Sequence, residues 1–256
     1  MSKFNDERAV KQSKMKRDSN VRHATDSWIS SVREYDYVYN FDWLGIPVIQ
    51  FPNDLVVLQE VLYESKPQLI IETGIARGGS ASFFSSILAL LDLMECEEGG
   101  PPKVRRKYLG IDIDIRQETK SLLKQHPILK MYASTIEGSS ISENVLKEVD
   151  KISKDFNRVM VVLDSNHTEV HVLSELIYYS KFVTKDCFLV VCDTSIEWDS
   201  KSLWMNKREW GPGNNPMTAI TKFLERNIEF SIREDVSDKA LISSMRNGFL
   251  QRRHNL

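Results

Sequence analysis

The stretch LIIETGIARGGSAS, at residues 69–82, constrains the fold of this chain more than any other segment. A short apolar run ends in an acid, Glu72, and leads into a glycine-rich turn, after which small and apolar residues predict a helix. Gly74 and Gly78 let the backbone bend and approach a ligand closely, and Ser80 is placed to cap the helix. A strand, turn and helix in this order predict a site for a nucleotide-like ligand.

The spacing of the glycines narrows the class of ligand. A dinucleotide site reads G-x-G-x-x-G and holds a pyrophosphate at the helix N-terminus, whereas this chain reads G-x-x-x-G-G and lacks the Gly-Lys-Ser/Thr of a P-loop. The carboxylate of Glu72 would repel a pyrophosphate but would suit an ammonium group. S-adenosylmethionine is therefore the leading candidate, against a glycine turn that binds nothing, which any α/β protein can contain.

Composition limits the other function classes. With 256 residues, 41% of them hydrophobic, the chain is long enough for one substantial core. A net charge of −2 argues against a nucleic-acid surface. Three cysteines without metal spacing, no long apolar run and no signal-peptide pattern predict a cytoplasmic protein without a membrane span.

Strand and helix patterns alternate along the chain. Leu55, Leu58, Val61 and Leu62 have helical spacing before the first strand. Strands are predicted in YLGIDIDI, ILKMYAS, RVMVVLDS and CFLVVCDT, with helices between them, and IEFSIRED and KALISSM are predicted to pair as an antiparallel hairpin. The fold class is therefore α/β, with a doubly wound, mostly parallel sheet and an antiparallel C-terminal edge hairpin.

Two segments, an N-terminal arm and a long loop, lie outside this alternation. Residues 1–35 are predicted to form the polar arm, and residues 36–256 are predicted to form a single domain that contains the loop. The long loop 195–215 is predicted to be a lid, because loops of that length in compact domains are usually functional or disordered. Its tryptophans, which would suit stacking on a sugar or a contact between subunits, are Trp198, Trp204 and Trp210.

Acids at the strand ends are the first candidates for the site, because ligands of open α/β sheets bind beyond the carboxyl ends of the strands. Asp112 can accept both hydroxyls of a ribose, or can simply cap a turn. Ser139 and Ser140 are placed to line an adenine pocket. Asp164 and Asp193 follow neighbouring strands, so their carboxylates can converge on one divalent cation.

His167 is the candidate general base, since an imidazole near such a cation can take a proton from a substrate hydroxyl. The sequence His167-Thr168-Glu169, with His171 four residues after His167, also resembles part of an iron site. The β-α alternation argues against iron, because oxygenases of that type usually have a jelly-roll fold.

The segments WLGIPVIQFPNDLVVLQEVLYESKPQLIIETGIARGGSA, YLGIDIDIR, VLDSNHTEVHV and WGPGNNPMTAITKFL together resemble the cephalosporin hydroxylase family, which includes rhamnosyl O-methyltransferases. The resemblance covers roughly residues 40–252. It implies a Rossmann-like class I methyltransferase that depends on S-adenosylmethionine, with a magnesium site similar to that of catechol O-methyltransferase. The acceptor would be a hydroxyl of a sugar or of a glycosylated natural product.

The resemblance also implies a role for each candidate. Asp193 would be a metal ligand, and Asp164 would bind the metal, contact the cofactor and take part in catalysis with His167. The cofactor would be contacted by Glu72, Gly74, Gly78, Ser80, Asp112, Ser139 and Ser140. The family usually has Glu-Asp-Thr after the fifth strand, and this chain has Cys192 in place of the glutamate. A thiol is a poor magnesium ligand, so the metal could use Asn166 instead, or His167 could act without it.

Two alternatives stay open at this point. A scaffold that binds the cofactor but transfers nothing would follow if Cys192 disables the metal site. A nicotinamide-dependent oxidoreductase would use the same sheet but would require G-x-G-x-x-G. We also expect a small-molecule or glycan acceptor and a homo-oligomer.

Overall fold

The computed structural model describes residues 3–96, 100, 103–199 and 208–254. Its strands are β1 (Phe41–Trp43), β2 (Ile46–Val48), β3 (Leu69–Thr73), β4 (Lys107–Asp112), β5 (Ala133–Glu137), β6 (Val159–Leu163), β7 (Phe188–Val191), β8 (Phe230–Ile232) and β9 (Phe249–Arg252). Its α-helices are α1 (Lys3–Arg17), α2 (Ser19–Arg33), α3 (Pro52–Ser65), α4 (Gly79–Met94), α5 (Gln117–Gln125), α6 (Pro127–Tyr132), α7 (Glu143–Ser153), α8 (Glu169–Tyr179), α9 (Pro216–Leu224) and α10 (Glu234–Ala240). Within these ranges, no helix combines the length and the apolar character that crossing a bilayer requires.

Seven strands form one sheet in the order β5-β4-β3-β6-β7-β9-β8, and β1 and β2 form a separate antiparallel pair. The five strands from β5 to β7 are parallel. The chain runs from β3 outward to β5 and then returns to β6, which pairs with the other side of β3. The predicted doubly wound sheet is confirmed, and its topological switch point lies between β3 and β6, where such sheets bind ligands.

The predicted strand at ILKMYAS, residues 128–134, is wrong for most of its length. Pro127 opens α6 there, and β5 begins only at Ala133. The strand is at an edge of the sheet, and four of its five residues are half-buried or exposed. Edge positions do not need a continuous apolar run, so the apolar signal came from the helix that precedes the strand.

The antiparallel C-terminal pair is confirmed, but its second strand was placed wrongly. KALISSM, residues 239–245, forms the end of α10 and a loop, and the strand is β9, which lies between β7 and β8. The loop is fixed instead by a buried acid, because the backbone N–H of Ser244 donates to Asp54 Oδ2 at 2.8 Å. The edge of the sheet is therefore β8.

The sheet is covered on both faces. In β3, Ile70 packs into one core cluster with residues of α3 and α4, while its neighbours Leu69 and Ile71 pack into the other with residues of α8 and α9. All three side chains are fully buried. This explains why the strand has a continuous apolar run rather than an alternating pattern.

The predicted N-terminal arm contains α1 and α2, which lie on the surface and are held by charged contacts. Lys16 Nζ lies 2.5 Å from Glu234 Oε2 and 2.8 Å from Asp238 Oδ2. At the other end, Arg33 Nη1 lies 2.7 Å from Asp199 Oδ2. The division into an arm and one domain stays a prediction, as does the lid, of which residues 200–207, with Trp204, lie outside the described ranges.

Candidate functional site

The glycine turn brings β3 against the end of β6. Gly74 has φ +83°, and a Cβ atom there would lie 2.1 Å from the carbonyl oxygen of Asp164. Gly78, with φ +86°, is the residue that precedes α4 and occupies its cap position. The prediction that Ser80 caps the helix is therefore wrong. Ser80 lies in the first turn of α4, and its Oγ donates a hydrogen bond to Glu72 Oε2 at 2.8 Å. Glycine is therefore sterically required at position 74, where the turn after β3 approaches the end of β6.

Glu72 lies inside the protein rather than at the mouth of the turn. Its side chain is 1% exposed, and it accepts hydrogen bonds from Tyr108 and Ser80. Burial raises the pKa of Glu72 from its ordinary value near 4.5 to about 8, against the opposing effect of the two hydrogen bonds. Contact of this acid with the ammonium group of a ligand stays a prediction.

The raised pKa of Glu72 has a measurable effect on stability. Between pH 5 and pH 8 the unfolded chain ionises this acid while the folded chain keeps its proton, so stability falls as pH rises, by up to about 1.4 kcal/mol per pH unit. In Glu72→Gln this loss should be absent, which urea unfolding at each pH measures. The exposed Glu143→Gln is the control, and a wild-type-to-Glu72→Gln difference that does not change with pH would contradict the assignment.

A first cavity of about 170 Å³ lies beyond the ends of β4, β5 and β6. Its lining includes Gly74, Asp112, Ser139, Ser140, Asn166 and His171. Four of these were predicted as cofactor-binding residues, and the structure brings them together. The wall at Gly74 has no side chain, so a ligand can approach the backbone closely.

Asp112 combines a structural contact with a place on the cavity wall. Its Oδ2 accepts hydrogen bonds from the backbone of Ile75 at 2.9 Å and of Ala76 at 3.2 Å, and its Oδ1 accepts one from Asp114 N at 3.1 Å. An ionised carboxylate has about four acceptor positions. Asp112 can therefore hold the glycine turn and still accept a hydrogen bond from a ligand hydroxyl.

His171 lies on the wall of the first cavity, apart from His167. Its Nε2 is 3.2 Å from Ser140 Oγ and 3.3 Å from Ser165 Oγ. Ser165 Oγ also donates to Glu175 Oε1 at 2.7 Å, and Glu175 is fully buried. Sequence reasoning missed His171 as a cavity residue because its four-residue spacing from His167 was considered only as an iron pattern.

A second group of side chains lies at the ends of β6 and β7. Potential ligand atoms of Asp164, His167 and Asp193 all lie within 4.8 Å of one another. His167 Nε2 is 3.3 Å from Asp193 Oδ2, and the imidazole meets the Trp210 ring edge-on with centroids 4.9 Å apart. The three residues predicted as metal ligands and base are thus neighbours in the structure.

The environment of Asp164 suits a cation. Burial raises the pKa of Asp164 well above its ordinary value, and the nearby carboxylate of Asp193 raises it further. Gln50 Nε2 donates to Asp164 Oδ2 at 3.3 Å. A bound divalent cation would relieve the repulsion between these acids, so the residues present fit a metal of the kind that prefers oxygen ligands.

Cys192, which the family resemblance places where an acid is usual, is a neutral thiol in the metal-free protein and adds no third negative charge to the site. Its side chain is 2% exposed, and burial together with the charges of Asp164 and Asp193 raises the pKa of its thiol well above the ordinary value. Asn166 is also occupied, since its Oδ1 accepts hydrogen bonds from Thr168 N and Thr168 Oγ1, both at 2.8 Å. A metal here would depend on the two carboxylates and on His167 or water.

A second cavity of about 250 Å³ opens beside this group. His167, Asp193 and Ser195 contribute polar atoms to its lining, and Trp210 contributes an aromatic ring. Since Asn166 lines the first cavity and His167 lines the second, the loop that contains them runs between the two spaces.

Comparison with known proteins identifies relatives over most of the chain. The family model described as rhamnosyl O-methyltransferase/CmcI matches residues 35–253. A rhamnosyl O-methyltransferase of Mycobacterium leprae (strain TN) is 28% identical over 181 residues, which is 69% of this chain and 72% of the relative. The rhamnosyl O-methyltransferase of Mycobacterium tuberculosis (strain ATCC 25618 / H37Rv) is 27% identical over 60% of this chain and 57% of the relative.

Solved structures share the fold at lower sequence identity. A structure of CmcI with magnesium and S-adenosylmethionine has a TM-score of 0.59 and 14% identity, and the match covers 84% of this chain and 78% of that one. A putative caffeoyl-CoA O-methyltransferase from Staphylococcus aureus has a TM-score of 0.50 and 14% identity, with 84% and 90% covered. At this identity the likeness establishes the fold.

Proposed function

The chain belongs to the rhamnosyl O-methyltransferase/CmcI family, and we propose that it transfers a methyl group from S-adenosylmethionine to a hydroxyl of a sugar or of a glycosylated product. The first cavity would hold the adenosine part of the methyl donor. The second cavity would hold the acceptor.

The observation that carries this proposal is the position of the loop after β6. Asn166 lines the first cavity, and the next residue, His167, lines the second. The carboxylates of Asp164 and Asp193 lie beside His167, with ligand atoms of the three residues all within 4.8 Å of one another. Methyl transfer is an in-line displacement at a sulfonium carbon, so a donor and an acceptor must approach each other from opposite sides. Two cavities that adjoin at one loop would allow that approach.

His167 is the proposed general base. His167 Nε2 lies 3.3 Å from Asp193 Oδ2, and a hydrogen carried on Nε2 would leave a lone pair on Nδ1. Nδ1 would take the proton of the acceptor hydroxyl, and the oxygen would form its new bond to the methyl carbon as the carbon–sulfur bond breaks. Asp193 would hold the imidazole in this orientation and stabilise its charged form.

Asp164 and Asp193 are the proposed metal ligands. A divalent cation held there would supply positive charge that polarises the acceptor hydroxyl. Asp164 is placed for this by Gln50, and Asp193 remains partly accessible, with 38% of its side chain exposed.

The proposed metal site predicts a stability effect without any assay of activity. Millimolar Mg²⁺ should raise the melting temperature of the metal-free protein, because a ligand that binds only the folded state stabilises it. Asp193→Asn should remove most of the increase, since one carboxylate is lost, while Asp150→Asn, an exposed acid on α7, should leave it intact. An equal increase in both variants would place the cation elsewhere.

The proposed function is tested by incubating the protein with methyl-labelled S-adenosylmethionine and a panel of glycosides. Transfer of label to a glycoside is the expected result. Binding of S-adenosylhomocysteine without transfer to any glycoside would favour the scaffold alternative. Oxidation of a glycoside with NAD, in the absence of methyl transfer, would favour the oxidoreductase. A homo-oligomeric assembly and a cytoplasmic location remain predictions.

A further inference from the structure

Helix α2 forms one wall of the second cavity. Ile29, Val32 and Arg33 line the cavity, and their spacing of three and four residues puts them on one face of the helix. The rest of α2 is mostly exposed, and Thr25 is its buried residue. The helix thus presents a single stripe of side chains to the cavity rather than to the core of the protein.

Contacts of residues other than Ile29 and Val32 help to hold α2 in place. Arg33 pairs with Asp199 at one end of the helix, and Lys16, just before its start, pairs with Glu234 and Asp238. Further along, the rings of Trp28 and Tyr37 meet edge-on at 5.1 Å. Polar and aromatic contacts therefore hold the helix in place, and its two aliphatic side chains remain available to a ligand.

The lining of the cavity is chemically mixed. Arg33, His167 and Asp193 are polar or charged, whereas Ile29 and Val32 are apolar. Its volume of about 250 Å³ is just below the range of ~300–1,000 Å³ usual for drug-sized ligands. Such a space fits one ring that bears a hydroxyl and a small apolar group.

The family match begins at residue 35, after the end of α2. This wall is therefore contributed by a segment outside the part of the chain that the family shares. Resting on the proposed function, we propose that α2 selects the acceptor, by packing Ile29 and Val32 against an apolar group next to the methylated ring. That group is either a methyl substituent on the sugar ring itself or an aliphatic aglycone attached to it.

Matched acceptors distinguish the two sources. α-L-Rhamnopyranosides and α-L-lyxopyranosides with the same aglycone differ only in the methyl group on C5, and methyl and octyl α-L-lyxopyranosides differ only in the aglycone. The wild-type protein should prefer the more apolar member of at least one pair by roughly tenfold in kcat/KM, as expected for an added methyl group in an apolar pocket. The pair that shows the preference identifies the source.

The variant Ile29→Thr/Val32→Thr keeps the branching at Cβ of both side chains, shortens the side chain at position 29 and makes the wall more polar. Its preference should fall to about threefold or less, whereas Val10→Thr, at an exposed valine of α1, should keep the wild-type preference. An unchanged preference in the double variant, equal rates within both pairs, or transfer only to glycosides outside these pairs would overturn the role of α2. Transfer to no glycoside at all, or no binding of S-adenosylhomocysteine by the wild-type protein, would instead overturn the proposed function.

Discussion

Replacing His167 with alanine should lower the turnover of methyl transfer by roughly 10²-fold or more, which is the usual contribution of a positioned general base. The imidazole lines the second cavity, lies 3.3 Å from Asp193 and takes no part in lining the first cavity. The affinity for S-adenosylhomocysteine should therefore stay close to that of the wild-type protein. Initial rates with labelled donor and calorimetric titration measure the two quantities separately.

His171 provides a matched control for this prediction. It is a histidine only four residues further along the chain, but it lines the first cavity and contacts Ser140 and Ser165. His171→Ala should weaken binding of S-adenosylhomocysteine more than it lowers turnover at saturating donor. The opposite pattern, with His167→Ala impaired in donor binding and normal in turnover, would exchange the two proposed roles.

The second large effect is expected at Gly74, where alanine should weaken binding of S-adenosylhomocysteine by at least roughly 100-fold. A Cβ atom would approach the carbonyl oxygen of Asp164 to 2.1 Å, and backbone atoms cannot yield as a flexible side chain can. The glycine turn and the end of β6 would have to move apart. This would disturb both the first cavity and the neighbouring carboxylate of Asp164. A factor of 100 corresponds to about 2.7 kcal/mol, which is within the range for overpacking a tight site.

Gly45→Ala separates this collision from backbone strain. Gly45 has φ +79°, similar to the +83° of Gly74, but a Cβ atom there would meet nothing within 4 Å. The control should therefore bear only the cost of a left-handed residue, about 1–2 kcal/mol of stability, and should bind the ligand normally. Circular dichroism confirms that each variant is folded, and wild-type affinity in a folded Gly74→Ala protein would contradict this close approach of Gly74 to Asp164.

The sequence predicts the centre of the sheet better than its edges. β6 and β7 are covered on both faces, so their residues form continuous apolar runs that identify them. β9 is also buried, but it contains Gln251 and Arg252 and lacks such a run. Arg252 is tolerated because its guanidinium donates to the carbonyl of Val183 at 2.6 Å, a tertiary contact that no local pattern reveals.

The sequence predicts those residues of the candidate site whose positions follow from the order of the strands. Residues that follow parallel strands meet at one edge, so Asp112, Asp164 and Asp193 could be named from their positions alone. The burial of Glu72 and the pairing of His167 with Asp193 depend on side-chain packing across separate elements. The wall formed by α2 depends on contacts between the arm and the rest of the chain, which a polar segment gave no reason to expect.

The assignment of the first cavity to the methyl donor is tested by a calorimetric titration of the purified protein with S-adenosylhomocysteine and, separately, with NAD. We predict micromolar binding of S-adenosylhomocysteine that weakens strongly in Gly74→Ala and persists in His167→Ala, and no comparable binding of NAD. Binding of NAD alone, or no binding of S-adenosylhomocysteine by the folded protein, would contradict the assignment of the first cavity to the methyl donor.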